Sequence, residues 1–133
     1  MNDIHTPETM VKLAEAFVEI GDGKMACEAI WSSVSLAIKN YSKSRLKVNM
    51  NLVRDYMLQF IRNQSPNVYI AFKSAEELHQ LYYEYQYIPG TIDFEDEFRY
   101  CKLFLREFPV IKPPDVNQMK KFLSKHKFGW DNC

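Results

Sequence analysis

Residues 6–41 read TPETMVKLAEAFVEIGDGKMACEAIWSSVSLAIKNY, and this stretch decides the fold. Met10, Leu13, Ala14, Phe17 and Val18 recur at helical spacing. Thr6 can cap that helix, Pro7 suits its first position, and Glu8 favours its positive end. Gly21-Asp22-Gly23 then breaks the pattern, because glycine readily takes the left-handed conformation that closes a helix. A second helix is predicted from about Lys24 to Tyr41. Its apolar face is Cys27, Ile30, Val34, Ala37, Ile38 and Tyr41, with Trp31 beside it. So short a turn sets the two helices antiparallel.

The rest of the chain repeats this logic. Ser42 to Val48 is polar and basic and reads as a loop. Asn49 or Asn51 would cap a third helix to about Asn63, with Leu52, Val53, Tyr56, Met57, Phe60 and Ile61 on its apolar face. Ser65-Pro66 starts a fourth, to about Tyr87, although the capping box Ser74-x-x-Glu77 offers a later start. Pro89-Gly90 ends it, and Thr91 or Asp93 opens a fifth. There Phe94, Phe98, Cys101, Leu105 and Phe108 form a narrow seam at steps of three and four. Pro109 and Pro113-Pro114 stop that helix, and Asp115 to Gln118 opens a short last one to about His126. The reading is all-α: an up-and-down bundle of five to six helices built on an antiparallel hairpin. Residues 1–108 form the bundle domain, and 109–133 a Pro-bounded segment with a short amphipathic helix.

A chain of 133 residues that is 47% apolar fits one domain with a buried core. Its formal charge of zero excludes a uniformly basic nucleic-acid binder, but the zero is a sum of blocks. Residues 39–75 hold seven bases to one acid, and residues 76–97 hold seven acids and no base. The start, MNDIHTPETM, lacks a basic cluster followed by an apolar run, and no stretch is long and apolar enough to span a bilayer. The expectation is an intracellular protein, cytoplasmic or nuclear, with no membrane partner. Cys27, Cys101 and Cys133 lack metal-ligand spacing, so no metal site is expected and the first two read as buried thiols.

No phosphate-cradling glycine loop, nucleophile elbow or H-E-x-x-H occurs, so no cofactor and no catalytic residue is assigned. Two groups of residues remain. In Leu78-His79-Gln80-Leu81-Tyr82-Tyr83-Glu84, the residues His79, Tyr82, Tyr83 and Glu84 could line a polar pocket or a buried hydrogen-bonded network. Lys43, Arg45, Lys47, Arg54 and Arg62 are candidate contacts to RNA or nucleotide phosphate, or a solvated face paired with the acidic blocks.

Two stretches carry a family resemblance. Gly21-Asp22, then Ala26, Glu28 and Trp31, then Ala37 to Tyr41, resembles a "GD…A.E..W" helical-hairpin pattern. Leu78 to Glu84 resembles an "LH.NFYE" signature, with Leu81 where the pattern has Asn. Together they resemble the small archaeal paralogous-repeat (PaREP-type) proteins, a group related to the HEPN domains. The resemblance implies a bundle on two long antiparallel helices, often dimeric. Many HEPN relatives are ribonucleases with an Arg-x(4–6)-His motif, which this chain lacks; Arg62 and Tyr69 are its nearest approach. Tyrosine is a poor base near neutral pH. The expected function is therefore a non-catalytic interaction or dimerisation module, a homodimer or a binder of another protein. Its basic and acidic blocks would pair across the two copies. RNA or nucleotide binding through residues 39–62 and a degenerate ribonuclease are the alternatives.

Overall fold

The computed structural model describes residues 5–46, 53–83 and 90–125, with the backbone alone at 82, 83, 116, 122, 123 and 125. Expectations for Asn49, Asn51, the helix end at Tyr87, Pro89, His126 and Cys133 lie outside the described residues. Among the described residues there are six α-helices and no strand.

Helix α1 runs Pro7–Glu19 and α2 runs Gly23–Tyr41. Thr6 and Thr9 bond reciprocally at the start of α1, closing a capping box. At the other end Gly21 sits at φ +85°. Its N–H donates to the Val18 carbonyl at 3.0 Å, and the Asp22 N–H donates to the Phe17 carbonyl at 2.8 Å. This pair of bonds is the Schellman closure, which needs a residue free of Cβ strain. Asp22 at once caps α2, its Oδ1 accepting from the Met25 N–H at 3.1 Å. Three residues thus end one helix and begin the next.

Helix α2 is the central element, packed by α1, α4 and α5. Small residues, Ala26, Ala29 and Ala37, are buried along it and let neighbours approach closely. The loop expected from Ser42 is not one at its start. The chain winds on as a π-helical turn, Ser42–Leu46, because Ser42 still donates to Ile38 and Lys39 and the Leu46 side chain is buried.

Helix α3 spans Arg54–Gln64 and α4 spans Pro66–Tyr83, with Ser65 alone between them. Helix α4 passes unbroken through Ser74, so the later start is not used. The Ser74 hydroxyl is instead spent on Glu97. Asp93 caps α5, Phe94–Glu107. Phe104, rather than the expected Leu105, occupies the buried seam with Cys101 and Phe108, and Leu105 is half-buried. A straight helix advances 3.6 residues per turn, so a strict 3.5-residue seam drifts off the buried face. A 3₁₀ turn, Phe108–Val110, leads toward α6, Val116–Lys125, capped by Asp115. Met119 of α6 is buried in the same core as the other helices.

The aromatic share is explained by a ladder through that core. Ring centroids lie 4.6 Å apart for Tyr41–Phe108, 4.7 Å for Phe108–Phe104, 6.5 Å for Phe104–Phe72 and 5.9 Å for Phe72–Trp31. The ladder runs outward to a partly exposed end at Trp31.

Candidate functional site

His79 stands at that end. Its ring stacks on Trp31 with centroids 5.0 Å apart and planes at 22°, and its Nδ1 lies 3.3 Å from Glu28 Oε2. Glu28 and Trp31 are one turn apart on α2, so α4 is clasped to α2 by one carboxylate and one indole. One turn earlier on α4, Glu76 accepts from Lys73 Nζ at 2.8 Å and pairs with Arg54 at the start of α3. Burial alone would raise the Glu76 carboxyl; the Lys73 hydrogen bond and the Arg54 and Lys73 charges outweigh it and hold the group below its ordinary value. The Arg54 guanidinium also lies 5.9 Å from the Phe72 ring centroid. One side of α4 therefore fastens to both α2 and α3.

The partners sequence reasoning assigned to His79 were its neighbours on its own helix. The side chains of Tyr82 and Tyr83, and all of Glu84, lie outside the described residues. Glu28 and Trp31 were missed as partners, although both sit in the first quoted motif. Two motifs on separate helices gave the available signal.

The basic candidates are spread over three places. Lys43 and Arg45 are exposed on the π turn, with Arg45 6.0 Å from the Tyr41 ring centroid. Arg54 is engaged by Glu76. Arg62 is exposed at the far end of α3, about 12 Å along the helix axis, and stands 5.7 Å from the Tyr69 ring centroid. Lys47 lies outside the described residues. The basic and acidic blocks thus meet within one chain at Arg54, Lys73 and Glu76.

Other polar groups are structural. Ser33, fully buried, donates to the Pro7 carbonyl at 2.7 Å and accepts from the Cys101 thiol at 3.8 Å. Burial pushes both the Cys27 and Cys101 thiols up to about 11. No group of metal-ligating side chains occurs among the described residues. A shallow cleft of about 360 Å³ lies between the start of α1 and α2, lined by His5, Met10, Ser32, Ser35, Leu36 and Lys39.

The largest departure from expectation is on α1. Val11 and Ala14 are buried, but Leu13, expected in the core, is 41% exposed and Ile20 is 75% exposed. Ala16 is exposed between them and Phe17 is half-buried. Leu13, Ala16 and Ile20 lie at offsets of three and seven and form one outward apolar row, with Phe17, packed against the core, along its inner edge. The signal was an apolar count on α1 larger than one buried face requires.

The archaeal PaREP1/PaREP8 family profile matches residues 4–98. The chain belongs to this family. No curated protein and no solved structure matches it. The PaREP1/PaREP8 region takes in the α1–α2 hairpin, the Glu28–His79 clasp and the outward row of α1, and ends just inside α5. No helix among the described residues is long and apolar enough to cross a membrane.

Proposed function

We propose that this domain is a non-catalytic helical interaction module of HEPN-like type, and that its docking face is the outward row of α1. The observation that carries this reading is the exposure of Leu13 and Ile20 in register with Ala16. Single exposed apolar residues are ordinary, whereas a row at helical period is the form in which one helix receives another. His79 fits this reading as a clasp: Glu28 and Trp31 of α2 contact its ring and fix α4. A photo-crosslinking side chain placed at Ala16 in the expressed protein should give adducts with whatever covers the row. The same group at Ile70, half-exposed on α4, should give few. Equal adducts at both positions would remove the reading.

A second reading, RNA or nucleotide binding, draws support from Lys43 and Arg45, which are exposed on one turn. Arg54 counts against it, since phosphate would have to compete with Glu76. Titration with single-stranded RNA at low salt, where counterion release favours binding most, decides between them.

A further inference from the structure

The flanks of the α1 row differ. On one side lie Lys12 and Glu19, both exposed and one heptad apart. On the other lie Met10 and Phe17, also one heptad apart and both half-buried. Glu15, turned toward α5, is already paired with Lys102 at 3.4 Å, whereas neither Lys12 nor Glu19 has an ion pair among the described residues.

We propose that the occupant of this row is the same row of a second copy of the chain, run antiparallel. This rests on the docking face assigned above and names what docks there. The flanks select the direction. In a parallel pair, each flank of one helix meets the opposite flank of the other, which sets Lys12 against the partner's Phe17. In an antiparallel pair, like flanks meet. Lys12 then faces the partner's Glu19, and Phe17 faces the partner's Met10. Two-fold symmetry repeats both contacts, so two opposite-charge pairs line one side and two apolar pairs the other. Leu13 packs against the partner's Ala16 in the middle. A two-fold interface must be self-complementary, and this flank carries one charge of each sign at the right separation. An unrelated partner would place no such demand on it.

Sedimentation of the full chain under reducing conditions tests the register. The wild type should dimerise. Lys12→Glu or Glu19→Lys alone sets like charges opposite each other twice, and each should weaken the dimer roughly tenfold at low salt, less at high salt. The double variant K12E/E19K restores opposite pairing and should recover most of the affinity. L13E/I20E should give a monomer with unchanged helical circular dichroism, since both side chains are exposed. A double charge swap no better than either single change overturns the antiparallel register. A dimer indifferent to L13E/I20E overturns the surface. A monomeric wild type overturns the second copy as occupant; crosslinks from Ala16 to other proteins would then leave the interaction module standing, and their absence would remove it too.

Discussion

Replacing Tyr41 with Phe deletes one hydroxyl and leaves the ring. That hydroxyl donates to the Ile111 carbonyl at 2.9 Å, joining the end of α2 to the segment beyond Pro109. Tyr41 is 2% exposed and its ring lies 4.6 Å from Phe108, so the packing survives the change. The loss is one hydrogen bond, about 1 kcal/mol net. A carbonyl left dry would add to this. Ile111 is only half-buried, so water can reach it and the total should stay near 1–1.5 kcal/mol. For a domain of this size the melting temperature should fall by about 3–5 °C. Burial raises the Tyr41 phenol above its ordinary value, although Arg45 acts the other way, so the donor is intact throughout neutral pH. The assay is urea unfolding with amide exchange along α6. A lower midpoint at unchanged slope is expected, together with faster exchange at Met119 and its neighbours. An unchanged midpoint and unchanged α6 exchange would refute the idea that this bond secures the segment. A loss above about 3 kcal/mol would refute the assumption that the ring stays packed.

Glu97 offers a pH test. Burial raises its carboxyl, the Ser74 hydrogen bond lowers it, and Glu77 and Asp93 raise it further, for a net upward shift. Between the unfolded and folded values, the folded protein therefore holds a proton here that the unfolded chain has released. The stabilisation is complete below the unfolded value and is lost as pH rises through the folded one. Glu97→Gln keeps a partner for Ser74 and should raise stability at pH 7 while flattening the decline above pH 4.5; parallel melts across pH 4–7 check it. The thiols give a simpler test. At about 11, and buried, Cys27 and Cys101 should resist alkylation near pH 8 in the folded protein and react on unfolding, as mass spectrometry would show.

Helix starts were legible in the sequence because their causes are local. Thr6, Asp93 and Asp115 each cap the helix that follows them, as expected, and Asp22 caps α2 as well as closing the turn, whereas α3 starts at Arg54 with no side-chain cap from Val53. What a helix faces is not local. The spacing of α1 showed that it was a helix, yet Leu13 and Val11 are both apolar and only the position of α2 decides which is inside. The π turn after Tyr41 was missed for a similar reason, since the pull on Leu46 comes from the rest of the core. Sequence spacing could offer His79 only the neighbours on its own helix, whereas Glu28 and Trp31 reach it from α2. The basic and acidic blocks were expected to pair across two copies; inside one chain Arg54 and Lys73 pair with Glu76. Block sums carry no information about which copy supplies the partner.

The quoted motifs are therefore accounted for mainly by architecture. Gly21 and Asp22 make the turn, Ala26 and Ala37 allow close packing, and Tyr41 anchors the last segment. Glu28, Trp31 and His79 lock α4 to α2. Once those jobs are assigned, the motifs explain how the bundle holds together and leave little to say about what it binds. Along the outer side of α1, Lys12, Leu13, Ala16, Glu19 and Ile20 are all exposed. None of them is needed to build the hairpin, since Val11, Ala14 and the Gly21 turn already do so. An apolar row costs free energy to leave in water, and covering it would recover that cost, while the exposed and hydrated Lys12 and Glu19 beside it can steer the contact. The outer face of α1, rather than the more conspicuous histidine, is therefore the surface that stands to gain free energy from a partner.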